Sequence, residues 1–176
     1  LPLTNGGLIN NDIYTVMSDS RGGLWVGTLF QGLCYYHPSM QKFQLAQTSP
    51  GSSYITNESV RCFLEDKDGT ILVGSGKGLF RFHPETHKVE QIFKDEINEL
   101  VLSLSRDRHG NIWVGTFLKG FYQICGGECK HFLRNRGDSE QEVAQNVSRA
   151  LYEDSRGNYW TSVNGGVGLL NPNDGT

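Results

Sequence analysis

One pattern recurs four times along the 176-residue chain and constrains its fold more than any other feature. The copies run from Asn10 to Pro38, from Asn57 to Pro84, from Asn98 to Gly126 and from Gln145 to Pro172. Each copy holds an Asp followed three residues later by a Gly, and successive Asp residues are 47, 41 and 47 positions apart: Asp19 and Gly22, Asp66 and Gly69, Asp107 and Gly110, Asp154 and Gly157. A period of this length is typical of a β-propeller blade.

Each copy predicts a small antiparallel sheet of four strands. Alternating apolar residues at Ile13–Met17 indicate a half-buried first strand. The Asp-x-x-Gly step then turns the chain, because the carboxylate accepts backbone N–H groups and the glycine takes a positive φ. The first copy continues with strands at Leu24–Thr28, Leu33–His37 and Lys42–Leu45. We therefore predict an all-β fold of propeller blades at about residues 10–45, 57–93, 98–133 and 145–176, the last blade incomplete.

The tryptophans share one repeat position on the predicted second strand. A repeated aromatic residue most often packs in a core, so we predict that they form the blade core: Trp25, Trp113 and Trp160. The same position in the second copy holds Leu72.

Composition excludes several classes of protein. The net charge of −3 argues against nucleic-acid contact by this segment, since a phosphate-binding surface carries a basic stripe. No apolar run approaches the roughly 18 residues of a membrane span. No signal peptide precedes Leu1, and we expect the chain to be a processed or excised piece of a longer protein.

The consensus N-x-V-x-x-L-x-E-D-x-x-G-x-I-W-V-G-T-x-x-x-G-L-x-x-Y-x-P, read from residues 10–172, resembles the two-component regulator propeller repeat. The resemblance implies part of a seven-bladed propeller in the periplasmic sensor region of a bacterial hybrid two-component protein. It further implies an oligosaccharide ligand, contact with the remaining blades, a homodimer, and a membrane span and histidine kinase elsewhere in the protein. The fourth copy departs from the pattern with Thr161-Ser162 in place of Val-Gly, and the third with Cys125-Gly126 in place of His-Pro.

Propellers bind ligands where the loops leading into the inner strands meet the loops between the second and third strands. At one inner-strand position the copies hold Tyr14, Arg61, Leu102 and Arg149. Two arginines at the propeller mouth would suit an acidic or sulfated sugar through planar bidentate hydrogen bonds. Neighbouring loops would add stacking and charge through Phe30, Lys77, Phe117 and Lys119. The alternative is that all of these residues are solvated loop tips.

Other motifs carry weaker signals, and we predict neither a cofactor nor a metal site. The sequence Cys125-Gly-Gly-Glu-Cys129 with His131 offers three soft ligands, a hairpin disulfide or two separate thiols. The run Glu65–Thr70 lacks the carboxylates that an EF-hand needs at loop positions one and twelve, although a looser cation site stays open. His83 shares a turn position with His37, which favours a structural role.

Three functions are open at this point. The first is a periplasmic sensor segment that is itself not an enzyme, although the whole protein would carry a kinase. The second is a propeller scaffold that binds other proteins, and the third is a propeller lyase or glycosidase. The enzyme ranks last, since paired acidic residues recur with the turns and do not indicate a glycosidase carboxylate pair.

Overall fold

A computed structural model of the chain describes residues 12–39, 44–45, 59–86, 88–133, 146–163 and 166–173. The described residues form two compact units. Unit 1 lies within Leu1–Lys94 and unit 2 lies within Asp95–Thr176. Both consist of antiparallel sheets, as predicted, and none of the described residues forms a helix that could cross a membrane. The all-β fold class predicted from the repeats is confirmed.

Unit 1 holds two four-stranded sheets whose strands pair in chain order. The strands of the first sheet are β1 (Ile13–Ser18), β2 (Leu24–Thr28), β3 (Leu33–Tyr36) and β4 (Gln44–Leu45). Those of the second sheet are β5 (Val60–Glu65), β6 (Ile71–Ser75), β7 (Gly78–His83) and β8 (Lys88–Ile92). Lys42, where the fourth strand was predicted to begin, lies outside the described residues.

Unit 2 repeats this arrangement with one four-stranded sheet and one of three described strands. The first has β9 (Val101–Arg106), β10 (Ile112–Thr116), β11 (Phe121–Cys125) and β12 (Glu128–Phe132). The second has β13 (Leu151–Glu153), β14 (Tyr159–Val163) and β15 (Gly166–Leu170).

The repeated Asp closes the turn between the first two strands of a sheet and also anchors the tryptophan. Asp19 Oδ1 accepts the backbone N–H of Arg21 at 3.0 Å and that of Gly23 at 2.7 Å. Its Oδ2 accepts the indole Nε1–H of Trp25 at 2.8 Å. Gly22 adopts φ 80°, a conformation that favours glycine. The same indole bond joins Asp107 to Trp113 and Asp154 to Trp160.

The second copy lacks this indole because Leu72 stands where the others have Trp. In this copy Asp66 Oδ2 lies 3.5 Å from Arg81 Nη2. Arg81 is the residue of β7 that pairs with Leu72 of β6. The ion pair with arginine takes the place of the indole hydrogen bond.

Each buried tryptophan is covered by the sheet that follows it in its own unit. Trp25 is 0% exposed, and its ring lies 5.1 Å from that of Phe82. Trp113 is equally buried and lies 5.3 Å from the ring of Tyr159. The core of each unit therefore lies between its two sheets, with the tryptophan at the centre.

Trp160 requires a correction, because it is 40% exposed and not part of a blade core in this structure. Its face of the sheet also carries the exposed side chains of Val167 and Leu169, since Trp160 pairs with Leu169 and Ser162 with Val167. The physical reason follows from Trp25 and Trp113. Burial of this tryptophan requires a following sheet, and the described residues of unit 2 provide none after β15.

The glycine of the Trp-Val-Gly-Thr segment allows neighbouring sheets to approach closely. A Cβ on Gly115 would lie 2.3 Å from the carbonyl oxygen of Ser148 and 2.3 Å from Ser103 Oγ. A Cβ on Gly27 would likewise lie 3.0 Å from the carbonyl oxygen of Val60. The contact between sheets is thus made by backbone against backbone.

A glutamate at the end of the inner strand joins adjacent blades. Glu65 accepts the backbone N–H of Ser20, in the preceding turn, at 2.9 Å. Glu153 accepts the backbone N–H of Arg108 at 2.7 Å and also forms an ion pair with the Arg108 side chain. The two residues of each Glu-Asp pair therefore have different roles. The Glu binds the turn of the preceding blade, and the Asp closes the turn of its own blade.

Candidate ligand-binding face

The position that varies between the repeats lies on a β-bulge. The register of β1 with β2 shifts between Ile13 and Thr15, which leaves Tyr14 as the extra residue. The corresponding shifts leave Arg61 as the extra residue in β5 and Leu102 in β9. A bulge bends the strand and redirects the side chain, so these residues are not held in the regular alternation of the sheet.

In unit 1 the bulges bring Tyr14 and Arg61 into contact. The Arg61 guanidinium carbon lies 3.7 Å from the centroid of the Tyr14 ring, a cation–π stacking distance. Tyr14 is 51% exposed, whereas Arg61 is half-buried and its Nε is buried without a hydrogen-bond partner among the described residues. The stack therefore holds a guanidinium that the described residues leave without a carboxylate.

The loop that carries Phe30 lies beside the segment leading to Arg61. The N–H of Leu29 donates to the carbonyl of Asp12 at 3.0 Å, and the Ser59 hydroxyl donates to the carbonyl of Leu29. Ser59 precedes Arg61 by two residues, and Phe30 follows Leu29 directly. Phe30 is 61% exposed, so an apolar ring faces solvent next to the stacked pair.

Lys77 lies in the turn between β6 and β7, which reaches the same segment. The N–H of Gly76 donates to the carbonyl of Ser59 at 2.9 Å, and Gln91 Nε2 donates to the carbonyl of Lys77 at 2.9 Å. The Lys77 side chain is exposed. The four residues predicted in unit 1 therefore lie on loops and strand ends that hydrogen bonds join together.

Unit 2 shows the corresponding arrangement around Phe117 and Arg149. The N–H of Phe117 donates to the carbonyl of Leu100 at 3.0 Å, and the N–H of Ser148 donates to the carbonyl of Thr116 at 2.9 Å. Phe117 is 40% exposed, and Arg149, which follows Ser148, is exposed as well.

Ser162 explains why the fourth repeat departs from the Val-Gly pattern. Its hydroxyl oxygen accepts the backbone N–H groups of Arg149 and Ala150, each at 2.9 Å. The hydroxyl thus fixes the backbone at Arg149, which comes before the first residue of β13.

Lys119 is held more firmly than a solvated loop tip. Its Nζ donates to Asn98 Oδ1 at 2.8 Å, and its backbone N–H donates to Glu99 Oε1 at 2.8 Å.

Leu102, the residue of unit 2 that corresponds to Tyr14 of unit 1, is half-buried. The role of all seven predicted ligand-binding residues remains a prediction.

The cysteines of the third repeat do not form the hairpin disulfide that the sequence left open. Cys125 pairs with Glu128 and Cys129 with Ile124, so the two thiols point to opposite faces of the sheet, and both are free. Burial, with a smaller contribution from Glu96, raises the pKa of Cys129 to about 11. His131, the third potential ligand, stacks on Tyr122 with ring centroids 4.3 Å apart.

No group of three or more His, Cys, Asp and Glu side chains among the described residues could hold a metal ion. His83 Nε2 lies 3.1 Å from Glu90 Oε1, and His37 lies within hydrogen-bonding distance of Ser39.

A groove of about 650 Å³ lies at the opposite end of the inner strands in unit 2, lined by residues 105–108 and 151–155. Its charged groups are already engaged. Arg108 pairs with Glu153 and donates to the carbonyl of Asp154, and Asp107 and Asp154 bind indole N–H groups. This groove therefore offers less to a charged ligand than the bulge face does.

The profile of the two-component regulator propeller family matches residues 7–30, 54–77 and 95–117, which are parts of the first three repeats. None of the curated protein sequences compared with the chain matches it.

Several solved structures resemble the chain. The extracellular domain of the putative hybrid two component system BT4673 from B. thetaiotaomicron is 26% identical, with a TM-score of 0.74, over 96% of this chain and 22% of that one. The corresponding domain of BT3049 is 20% identical, with a TM-score of 0.54, over 97% of this chain and 28% of that one. PorZ of Porphyromonas gingivalis, a surface component of a type-IX secretion system, is 17% identical with a TM-score of 0.61, over 90% of this chain and 24% of that one.

The last two of these similarities establish the fold alone, and the chain spans less than a third of each of the three structures. The family profile and the repeated Asp-x-x-Gly turns agree on the same segments. Residues 7–30, 54–77 and 95–117 of this chain therefore match the two-component regulator propeller repeat, and its antiparallel sheets have the strand order of propeller blades.

Proposed function

We propose that this chain is the ligand-sensing propeller segment of an extracytoplasmic sensor in a hybrid two-component protein. The family of its repeats and its similarity to the extracellular domain of BT4673 support this assignment. The segment would lie in the periplasm, and the membrane span and kinase would lie elsewhere in the longer protein. The segment itself would bind and not catalyse.

The ligand in this proposal is an oligosaccharide, bound at the bulge face. The stack of Arg61 on Tyr14, with the guanidinium left without a carboxylate among the described residues, is the observation that carries it. A planar guanidinium donates paired hydrogen bonds to a carboxylate or sulfate, and the exposed ring of Phe30 would cover the apolar face of a sugar.

Signalling would require that the ligand binds two arrangements of the protein with different affinity, because a ligand shifts an equilibrium only by that difference. The two arrangements would belong to a dimer. The remaining blades of the propeller would cover the exposed face of Trp160, Val167 and Leu169, as Phe82 covers Trp25.

Isothermal titration of the chain against acidic and neutral oligosaccharides tests the proposed function. We expect saturable binding of one sugar class, lost in the Arg61→Ala and Arg149→Ala double variant at an unchanged melting temperature. Arg156→Ala is the matched control, since Arg156 is an exposed arginine in the turn between β13 and β14. Equal losses of affinity and melting temperature would contradict the site. Absence of heat with every sugar would instead favour a protein partner and the scaffold function.

A further inference from the structure

We infer that the chain carries two related subsites for anionic sugars, one in each unit. Each subsite combines an exposed phenylalanine with the arginine at the start of the next blade, Phe30 with Arg61 and Phe117 with Arg149. The inference rests on the proposed function and adds the substrate class: an oligosaccharide that carries a carboxylate or sulfate group.

Both units hold the loop after the second strand in the same way. In each, the residue after the second strand donates its N–H to the segment leading into the inner strand of its own sheet, Leu29 to Asp12 and Phe117 to Leu100, both at 3.0 Å. In each, the threonine hydroxyl before it closes the loop onto a glycine carbonyl, at 2.9 Å in unit 1 and 2.8 Å in unit 2. The two loops are therefore held in the same way.

The next blade is attached to each loop close to the arginine. In unit 1 the Ser59 hydroxyl donates to the carbonyl of Leu29, two residues before Arg61. In unit 2 the N–H of Ser148 donates to the carbonyl of Thr116, one residue before Arg149. The phenylalanines occupy adjacent repeat positions and not the same one, since Phe30 corresponds to Leu118. Each loop nevertheless exposes one aromatic ring.

Arg61 and Arg149 also differ in charge environment from other arginines of the chain. Three arginines at or near the turns face acidic partners: Arg21 with Glu85, Arg81 with Asp66 and Arg108 with Glu153. The side chains of Arg61 and Arg149 form no ion pair within the described parts of the chain.

Both guanidinium groups have no carboxylate partner among the described residues, and each follows a segment that is hydrogen-bonded to a loop with an exposed ring. They therefore suit a ligand that brings its own anions. A neutral sugar would leave both groups without a charged partner.

The residue that packs against the arginine also differs between the subsites, and this difference orders their affinities. Tyr14 stacks against Arg61 and holds its guanidinium in place, whereas the corresponding residue of unit 2 is Leu102, which has no ring. Orientation before binding lowers the entropy lost on binding. We therefore expect the unit 1 subsite to bind an anionic sugar about fivefold more tightly than the unit 2 subsite.

The test is titration of the chain at low salt with digalacturonate, with a sulfated disaccharide and with an uncharged disaccharide. We expect two sites per chain for a charged disaccharide, with at least tenfold weaker binding of the uncharged one. Arg61→Ala should remove the tighter site and Arg149→Ala the weaker one, each leaving one site per chain. Digalacturonate and the sulfated disaccharide distinguish carboxylate from sulfate as the preferred anion.

Further variants separate this inference from simpler accounts. Arg61→Lys keeps the charge and loses the planar fork, so it should weaken the tight site about tenfold without changing the melting temperature. Full affinity of Arg61→Lys would contradict bidentate binding. Arg156→Ala should leave both sites intact.

The outcomes separate the two proposals. Equal binding of charged and uncharged sugars would overturn the anionic subsites and leave the sensor function standing. A single site that is lost in Arg61→Ala and unaffected in Arg149→Ala would overturn the duplication. Failure to bind any of the three sugars would overturn this inference, and the proposed function would be overturned with it only if the wider panel of acidic and neutral oligosaccharides also gave no heat.

Discussion

Replacing Asp107 with asparagine exchanges one carboxylate oxygen for an NH2 group. This replacement should destabilise unit 2 more than the same replacement at any other turn aspartate of that unit. Asp107 is 5% exposed and accepts hydrogen bonds on both carboxylate oxygens. Oδ1 accepts the backbone N–H groups of His109 and Asn111, at 3.0 and 2.8 Å. Oδ2 accepts the Trp113 indole at 3.0 Å and the Tyr159 hydroxyl at 3.1 Å, as well as the Asn111 side chain. An asparagine offers only one acceptor oxygen.

The magnitude follows from the donors that lose their acceptor. If the amide oxygen keeps the two backbone donors, its NH2 group faces the Trp113 indole, which is buried and has no other described partner. A buried donor left without a partner costs about 1–3 kcal/mol, and the bonds that remain lose the strengthening from the charge. We expect a loss of about 3 kcal/mol in the free energy of unfolding, or about 6–12 °C in melting temperature.

Urea unfolding followed by tryptophan fluorescence measures this loss, with two matched variants as controls. Asp66→Asn changes the same repeat position in unit 1, where Leu72 provides no indole and Arg81 forms a partly exposed ion pair. It should cost about 1 kcal/mol or less. Tyr159→Phe removes a single donor to Asp107 and should cost about 1 kcal/mol.

The pH dependence gives a second check on Asp107. Burial alone would raise the pKa of this carboxyl, but hydrogen bonds from Trp113, Asn111 and Tyr159 outweigh it and hold the pKa below its usual value. A lowered folded-state pKa stabilises the protein above the unfolded value of about 3.9, and that stability is lost as the pH falls through the folded value. The difference in stability between the original chain and Asp107→Asn should therefore shrink as the pH is lowered from about 4.

Two results would refute this reasoning. Equal losses for Asp107→Asn and Asp66→Asn would show that the indole bond contributes little, because only Asp107 receives one. A difference between Asp107→Asn and the original chain that stays constant down to pH 2 would show that ionisation of Asp107 is not what stabilises the junction.

Three further predictions concern packing and exposure. Gly115→Ala should lower the free energy of unfolding by at least about 2 kcal/mol, measured by thermal melting, because its Cβ would lie 2.3 Å from a backbone oxygen. Gly166→Ala should change stability little, because its Cβ would meet nothing within 4 Å. A maleimide should label the exposed Cys125 thiol quickly and the half-buried Cys62 thiol far more slowly, since burial raises the pKa of Cys62 to about 12. Trp160→Phe should remove most of the fluorescence that iodide quenches, since the other tryptophans are buried.

The strands and turns were predictable because they depend on local rules that repeat. The repeat pattern gave β2 with the limits that the structure has, Leu24–Thr28. The Asp-x-x-Gly turn needs only a carboxylate and a glycine at fixed spacing, and both recur in every copy. Because the motif occurs four times in one chain, the copies can be compared with one another, which a single occurrence would not allow.

The bulges and the position of Trp160 were not predictable in the same way. A bulge arises when two residues of one strand oppose a single residue of the partner strand. It therefore depends on how two strands pair, and the alternation of residues along one strand does not predict it. The exposure of Trp160 depends on whether another sheet follows it. Its sequence position is the same as that of Trp25, so no local signal distinguishes the two.

The positions where a copy departs from the repeat acquire a meaning only from the contacts around them. Leu72 removes an indole donor, and Arg81 on the facing strand supplies the replacement charge to Asp66. Ser162 replaces a glycine, and its hydroxyl binds the backbone of Arg149. The first departure preserves a turn, whereas the second positions a residue that varies between copies and has no described ion pair. The departure at Leu72 is therefore compensated within the fold, whereas Arg149 is positioned without a described charge partner, and in the proposed function a ligand would supply that partner.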